Sequence, residues 1–174
     1  MITIRLTTWV NAPVERCFLL AANAELAGGR SSRSKAMQLQ CGDQICWPLG
    51  RRSYSSQVDT VRPHSHIREL MSGGIFRYYE HDHHFATMDD GTRVRDEIRF
   101  SPKYGWLGRL WGATVLRMRL KKMLAQQNLK LKRIAEGHDW SQYVVEETGS
   151  EGVAGERIKI ADPPSRATNM QRFA

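Results

Sequence analysis

The feature that most constrains the fold is a pair of alternating segments, residues 75–86 and 92–100, joined by the sequence Asp89-Asp90-Gly91. Successive side chains of a β-strand point to opposite faces of a sheet. Charged residues occupy every second position from Arg93 to Arg99, so that face of the second segment is predicted to meet solvent. Asp-Gly between two alternating segments is typical of a tight hairpin turn. The pattern therefore predicts a long antiparallel hairpin with one solvent face and one core face.

The core face of this hairpin is predicted to carry three titratable groups. Asp96 is the one charged residue on the core face of the second segment, and His81 and His83 fall on the corresponding face of the first. A turn of two or of four residues gives the same facing, and it places His83 opposite Asp96 or one step from it. On the other face, Glu80 and Asp82 would lie across from arginines, which is a favourable cross-strand pairing.

Buried charged groups need partners, because an ionised group loses its hydration on burial. The two histidines and the aspartate are expected either to form a closed hydrogen-bonded network that holds the strand register, or to line a cavity and orient a ligand. His-x-His with a carboxylate is also a possible set of metal ligands. No metal site is predicted, since the face of Glu69 is ambiguous and no second carboxylate is secured.

The rest of the first hundred residues also has strand-like patterns. Alternating and β-branched segments are separated by turn sequences such as Gly42-Asp43 and Gly73-Gly74. Closely spaced turns of this kind indicate antiparallel pairing, and with the hairpin the count is about seven strands. The five further strands are expected at residues 2–10, 36–40, 44–47, 54–61 and 66–71.

Helices are expected after the first strand and after the last. The first helix follows Pro13, which suits the first helical turn, and Cys17 falls on its apolar side as a core residue. A second short helix at most is expected within residues 22–35. A long helix is predicted over residues 104–136, ended by Gly137. Its apolar residues recur at nearly helical intervals, and the face toward the sheet is predicted to include Trp111, Val115 and Met118. The recurring residues are Leu107, Trp111, Val115, Met118, Leu124, Leu131 and Ile134.

Length and charge are compatible with one domain and a tail. The chain has 174 residues and a formal net charge of +8. We predict a domain at residues 1–136 and a largely flexible tail at residues 137–174. The basic residues of the long helix are interpreted as a solvated face, because no nucleic-acid-binding motif accompanies them, and no specific nucleic-acid partner is predicted.

The location in the cell is inferred from what the sequence lacks. No run of about 18 apolar residues is present, which predicts no insertion into a membrane. The three cysteines form no CxxC pair, and the N-terminus has neither the basic start nor the apolar core of a signal peptide. These features favour a reducing, cytoplasmic location. The oligomeric state stays open.

The order of elements and several local sequences resemble those of the START-like (SRPBCC) superfamily, in its bacterial polyketide cyclase/dehydrase-like branch. The order is a strand, two short helices, a meandering antiparallel sheet and one long C-terminal helix. The resemblance covers residues 2–136. The local sequences that carry it are WVNAPVERCF (residues 9–18), GDQICW (42–47), FRYYEHDHHF (76–85), DGTRVRDEIRF (90–100) and YGWLGRL (104–110).

This resemblance implies an α+β protein with the helix-grip fold, in which a curved antiparallel sheet of about seven strands wraps around the long C-terminal helix. It implies a cavity that binds a small hydrophobic or amphipathic molecule of lipid, polyketide or aromatic character, with no cofactor. The alternative is a cyclase or dehydratase acting on a polyketide or aromatic substrate, with His83 or His81 as general base and Asp96 orienting it. Whether the chain is an enzyme stays open.

The cavity of such a protein would lie between the sheet and the long helix. The three polar residues on the core face would orient a polar group of the ligand, and apolar neighbours would hold the rest of the ligand. The residues predicted to line the cavity are Tyr79, His81, His83, Phe85, Val94, Asp96, Ile98, Phe100, Trp111, Val115 and Met118.

Overall fold

The computed structural model of the chain describes residues 1–23, 26, 30–31, 38–49, 52–103 and 105–144. It is an α+β structure in which a long C-terminal helix packs across one face of an open antiparallel sheet. The strands are β1 (Ile2–Val10), β2 (Arg30–Ser31), β3 (Gln44–Leu49), β4 (Arg52–Arg62), β5 (His66–Gly73), β6 (Phe76–Met88) and β7 (Gly91–Pro102). The helices are α1 (Val14–Ala21), α2 (Gly105–Trp111), a π-helical segment (Gly112–Leu116), α3 (Arg117–Glu136) and a 3-10 helix (Asp139–Tyr143).

The strands form one sheet in the order β1-β7-β6-β5-β4-β3-β2, and every neighbouring pair is antiparallel. Six of these strands have six residues or more, and β2 has two. Sequence neighbours pair throughout, except that β1 closes against β7. Because short turns suffice for antiparallel neighbours, the closely spaced turn signals predicted this meander correctly.

One of the seven predicted strands is wrong in its described part. Residues 38–40 of the expected strand 36–40 are not in the sheet, and residues 36 and 37 lie outside the described ranges. The Gln40 backbone N–H donates to the Asp43 carboxylate at 2.8 Å, and the Asp43 N–H donates to the Gln40 carbonyl at 3.1 Å. These bonds make residues 40–43 a turn that leads into β3, so the Gln40 N–H has no role in a strand ladder. The sheet therefore has six strands of appreciable length.

The hairpin of β6 and β7 is confirmed with a two-residue turn at Asp89-Asp90. Its register places His83 directly opposite Asp96, which is the first of the two predicted alternatives. Gly91, which follows the turn, has φ of 144°, and a Cβ there would lie 2.3 Å from the carbonyl oxygen of Val10. A glycine is therefore required where β7 starts beside the end of β1.

Two apolar clusters fill the space between the sheet and the helices. One joins α1 and the C-terminal half of α3 to the sheet, with the fully buried Cys17 in it, as the sequence predicted. The second joins the centre of the sheet to the N-terminal half of the long helix. The members of the second cluster are Ile4, Met71, Phe76, Tyr79, Ile98, Phe100, Leu116, Leu120 and Leu124.

The N-terminal half of the long helix presents a different face to the sheet than the one predicted, whereas Leu124 and Leu131 of the predicted stripe are buried as expected. Trp111, Val115 and Met118 are 42%, 38% and 69% exposed, whereas the buried positions recur every three or four residues from Gly112. A Cβ at Gly112 would lie 2.6 Å from Cγ of Pro102, so the helix backbone comes close to the sheet there. Only glycine fits at that approach, and its bulky neighbours point outward. The buried positions are Gly112, Leu116, Leu120, Leu124, Asn128, Leu131 and Ala135.

The second short helix expected within residues 22–35 is absent from the part of that range that the structure describes. Ala22 caps α1, and the Leu26 backbone N–H donates to both the carbonyl and the side-chain oxygen of Asn23. Residues 24, 25, 27–29 and 32–35 lie outside the described ranges. A turn at Asn23 therefore follows α1 directly.

The C-terminal end of the described chain packs back on α1. The Arg16 guanidinium lies 4.5 Å from the ring centroid of Trp140, and the side-chain amide of Asn23 donates to the Tyr143 carbonyl at 2.9 Å. Residues 145–174, most of the predicted flexible tail, lie outside the described ranges. The division into a domain at residues 1–136 and a tail stays a prediction.

Within the described residues, none of the helices combines the length and the apolar character needed to cross a bilayer.

We predict that Leu124 and Leu129, five residues apart on α3, differ sharply in their contribution to stability. Leu124 is fully buried, whereas Leu129 is 67% exposed. Leu124→Ala should lower the free energy of unfolding by about 2–5 kcal/mol, because it leaves a cavity under the sheet. Leu129→Ala should change it by less than about 0.5 kcal/mol. Urea denaturation measures both values, and equal losses would contradict the assigned helix face.

Candidate ligand site

Five polar residues meet on the inner face of the sheet, and we call them the inner polar cluster. They are Glu69 on β5, His81 and His83 on β6, Asp96 on β7 and Asn128 on α3. The register pairs Glu69 with His81 and His83 with Asp96, so alternation places all four strand residues on the face covered by the helix. The inner face therefore carries two carboxylates, rather than the one that the sequence could secure.

Asp96 holds the cluster together because the sheet and the helix both contact its carboxylate. Its Oδ1 lies 2.5 Å from His83 Nδ1 and 3.6 Å from His81 Nε2. Its Oδ2 accepts from the Asn128 side-chain amide at 2.5 Å, and that amide nitrogen also donates to Thr8 Oγ1 at 3.1 Å. Asp96 is fully buried, so these contacts replace its hydration.

Two buried atoms of the cluster lack a well-directed hydrogen bond among the described residues. They are His81 Nε2 and Asp96 Oδ1. The close contact between His83 Nδ1 and Asp96 Oδ1 is thus an ion-pair contact in which the N–H of His83 does not point at the carboxylate oxygen. The two imidazole rings lie with centroids 3.8 Å apart and planes at 45°. The cluster therefore has unused hydrogen-bonding and ligating capacity in its interior.

A second chain of polar contacts reaches the cluster from the strands β3 and β4. The Trp47 indole N–H donates to Ser56 Oγ at 2.7 Å, and the Ser56 hydroxyl donates to Glu69 Oε2 at 2.8 Å. The other oxygen, Glu69 Oε1, lies 4.0 Å from His83 Nε2. One oxygen of Glu69 is therefore fixed by the protein, and the other faces the free side of His83.

The two histidines have opposite pKa shifts. Burial lowers the pKa of His83, but the Asp96 carboxylate outweighs burial, so the net pKa lies above its ordinary value. Burial lowers the pKa of His81, and the nearby His83 lowers it further, so the net pKa of His81 lies below the ordinary value of a histidine. Burial raises the pKa of Asp96, but its two imidazole neighbours outweigh burial, so the net pKa of Asp96 lies below the ordinary value of an aspartate. The two buried imidazoles therefore differ in their tendency to hold a proton, which the Asp96 carboxylate strengthens at His83 and burial weakens at His81.

A small cavity adjoins the inner polar cluster, between the sheet, the end of α1 and α3. Its free space for water-sized molecules is about 30 Å³, which corresponds to about two waters. Glu69, His83 and Asn128 form its polar end, together with Gln127. The remaining lining side chains are Leu20, Ala21, Leu26, Leu39, Ile45, Trp47, Val94 and Leu131. The cavity is thus mostly apolar with one polar end.

The structure places two of the eleven predicted lining residues, His83 and Val94, at this cavity. His81 and Asp96 contact His83 from behind and do not line the cavity. Phe85 packs edge-on against Phe18 in the first apolar cluster. Tyr79, Ile98 and Phe100 belong to the second apolar cluster, and Trp111, Val115 and Met118 point outward on the long helix.

Several cavity residues were missed in the sequence. Asn128 could have been found, because it continues the spacing of Leu120 and Leu124 and is a polar residue in an apolar stripe. Leu39 and Trp47 gave no such signal. They come from an irregular segment and from a strand whose facing depends on a turn.

The outer face of the hairpin carries a separate ionic network. Asp82 Oδ1 contacts Arg68 Nε at 2.8 Å and His66 Nε2 at 2.7 Å, and Asp82 Oδ2 accepts from Arg99 at 2.9 Å. Burial raises the pKa of Asp82, but the hydrogen bonds from Arg68, His66 and Arg99 outweigh burial and the net pKa lies below its ordinary value. The predicted pairing of acidic residues with arginines is confirmed, and Asp82 is 2% exposed beneath these side chains.

Comparison with known proteins identifies the fold. The chain matches no family model and no curated protein. The KanY protein has 16% identity and a TM-score of 0.61 over 78% of this chain and 98% of its own. TTHA0849 from Thermus thermophilus has 17% identity and a TM-score of 0.56 over 75% of this chain and 97% of its own. DynU16, from the dynemicin biosynthetic locus, has 15% identity and a TM-score of 0.58 over 79% of this chain and 50% of its own. At these identities the likeness shows a shared α+β fold.

We predict that removing the amide that holds Asp96 destabilises the fold. Asn128→Ala should lower the free energy of unfolding by about 1–3 kcal/mol, because a buried carboxylate oxygen loses its donor. Gln126→Ala, at an exposed position of the same helix, is the control and should change it by less than about 0.5 kcal/mol. Chemical denaturation measures both. An Asn128→Ala variant as stable as the control would show that Asp96 does not depend on α3.

Proposed function

We propose that this chain is a START-like protein with the helix-grip arrangement, and that it binds a small hydrophobic or amphipathic molecule between the sheet and α3. The observation that carries the proposal is the mostly apolar cavity with Glu69, His83 and Asn128 at one end. Small-molecule sites typically combine apolar walls with a few placed polar groups. Structural likeness to KanY and DynU16 supports the fold on which the proposal rests.

The polar end favours a ligand with a hydroxyl or enol group. Glu69 Oε1 and His83 Nε2 lie 4.0 Å apart, too far for a direct hydrogen bond. A hydroxyl placed beside both atoms would hydrogen-bond to His83 Nε2 on one side and to Glu69 Oε1 on the other. Such a group would use the hydrogen-bonding capacity of both side chains, while the apolar remainder of the molecule contacts Leu20 and Leu131.

The size of the cavity determines how a ligand enters. Space for about two waters does not hold a molecule of several carbon atoms, so binding must displace part of the wall. Among the described wall residues, Leu26 and Leu39 belong to no helix or strand, whereas Ile45 and Val94 are fixed by strand ladders. We expect the wall at Leu26 and Leu39 to move outward around the ligand.

A second candidate function is general acid–base catalysis by His83. The 2.5 Å contact between His83 Nδ1 and Asp96 Oδ1 orients the ring so that Nε2 faces Glu69 at the cavity. An imidazole oriented by a carboxylate is a common general base. The reaction class would be a cyclisation or dehydration of a polyketide or aromatic substrate, which begins with removal of a proton beside a carbonyl.

The catalytic candidate predicts a simple proton-exchange reaction. Wild-type protein should accelerate exchange of the methyl protons of acetophenone in deuterated buffer, and His83→Gln should remove the acceleration because the base is lost. Proton NMR measures the exchange. Exchange at the rate of buffer alone in the wild type would count against catalysis and would leave ligand binding unaffected.

We predict that 1-octanol, an amphipathic alcohol, binds in the cavity and changes the emission of Trp47. The wild type should give a saturable change, and Trp47→Phe should give none, since the reporter at the cavity is gone. Ala21→Leu fills the cavity and should weaken binding by at least about tenfold. Ala125→Leu makes the same substitution at an exposed position of α3 and should bind like the wild type.

Two outcomes of the 1-octanol titration would contradict the proposed binding site. A linear, non-saturable response of the wild type would show that the alcohol does not occupy a site. Equal affinities of the Ala21→Leu variant and the wild type, with both folded by circular dichroism, would place the alcohol elsewhere.

A further inference from the structure

Three residues of the inner polar cluster offer ligand atoms that converge on one point. Glu69, His81 and His83 each provide one carboxylate or imidazole atom, and these atoms lie within 4.8 Å of one another. The three residues occupy neighbouring positions on the paired strands β5 and β6, so the sheet fixes their spacing. Two imidazoles and one carboxylate are a common ligand set for divalent first-row transition metals.

The surrounding contacts leave at least one ligating atom of each residue available. Asp96 contacts His83 at Nδ1, which directs Nε2 toward Glu69. Ser56 donates to Oε2 of Glu69, which leaves Oε1 facing His83. Metal-ligating histidines and carboxylates are commonly oriented by such outer contacts. His81 Nε2 is buried and has no hydrogen-bond partner among the described residues, so it too is available.

The distances require only a small adjustment. Ligand atoms about 2.0–2.2 Å from a tetrahedral ion are about 3.3–3.6 Å from one another. His83 Nε2 and Glu69 Oε1 are 4.0 Å apart, and all three ligand atoms lie within 4.8 Å of one another, so each pair would need to approach by at most about 1.5 Å. Such a change is within reach of side-chain torsions, with the strands unchanged.

The cavity gives this cluster an open position. His83 and Glu69 line the cavity, whereas His81 does not. An ion held by the three residues would therefore have the cavity beside two of its ligands, which leaves space there for an open coordination position. Three protein ligands with one open position are typical of reactive metal sites rather than of structural ones.

A second group of potential ligands, on the outer face, is less suitable. His66, Asp82 and His84 also place ligand atoms within 4.8 Å of one another. However, both oxygens of Asp82 are occupied by the guanidinium groups of Arg68 and Arg99. A cation there would meet two positive charges, which makes this group a matched control.

We propose that Glu69, His81 and His83 bind one divalent first-row transition metal ion such as Zn²⁺, with Asp96 and Ser56 orienting the ligands. This inference rests on the proposed function and deepens it, since an ion on Glu69 Oε1 and His83 Nε2 would replace their direct hydrogen bonds to the hydroxyl, which would bind at the open position of the ion instead. Metal binding is nevertheless measured without any organic ligand, so the two proposals fail separately.

Titration of the untagged, metal-stripped full chain with Co²⁺ and with Zn²⁺ tests the site. The wild type should bind one equivalent of Co²⁺ with a visible absorption band of low-symmetry coordination, and Zn²⁺ should abolish that band by competition. Glu69→Gln and His81→Gln should lose the band, and Asp96→Asn should weaken binding by about 10–100-fold because His83 loses its orienting carboxylate. His84→Gln, in the outer group, should bind like the wild type.

Thermal unfolding provides the control for folding. Zn²⁺ should raise the unfolding temperature of the wild type and of His84→Gln, and leave that of His81→Gln unchanged, because an ion stabilises only the folded state that binds it. If a Glu69 variant does not fold, His81→Gln and His83→Gln decide the matter. Absence of a band in the wild type, or a band that survives in folded His81→Gln and is lost in His84→Gln, would overturn the proposal.

The two proposals give distinguishable failures. If 1-octanol binds and Co²⁺ does not, the ligand cavity stands and the metal site is wrong. If Co²⁺ binds as described and no saturable alcohol binding is found, the metal site stands and the proposed organic ligand is wrong.

Discussion

The structure depends on the burial of one carboxylate, that of Asp96, in the middle of the sheet. An unpaired charge in that position would cost several kcal/mol, so the neighbouring elements must supply partners. His83 on β6 and Asn128 on α3 contact different oxygens of the carboxylate. The same two contacts join β6 to β7 and the long helix to the sheet. Because His83 is held from behind by Asp96, its free nitrogen faces Glu69 at the cavity.

Much of this core could be predicted from the sequence, since it follows from alternation. Charged residues at every second position of β7 identified its outer face, and Asp96 had to lie on the other. The Asp-Gly turn then limited the partner of Asp96 to His83 or its neighbour, and the structure has His83. The pairing of Glu80 and Asp82 with arginines followed from the same rule. A period of two survives any even change in turn length, which is why these inferences held.

Other parts of the site depend on geometry that has no sequence period. The register of β5 and β6 shifts between Met71 and Gly73, and such a shift decides on which face Glu69 lies. In the N-terminal half of the long helix, the spacing of apolar residues placed Trp111 on the buried face, whereas the close approach of Gly112 to Pro102 turns Trp111 outward. The wall at Leu39 belongs to an irregular segment, for which alternation makes no prediction. The cavity therefore became visible only when strands, helix and loop were placed together.

The measurement that tests this account most directly is NMR of the histidine ring nitrogens during titration with 1-octanol. The account predicts that the ring nitrogens of His83 shift on saturation, because the hydroxyl is placed between His83 and Glu69. The stacked pair His66 and His84, on the opposite face of the sheet, should stay unchanged. A saturating titration in which His83 does not respond, or in which His66 and His84 respond instead, would contradict the assignment of the inner polar cluster as the ligand site.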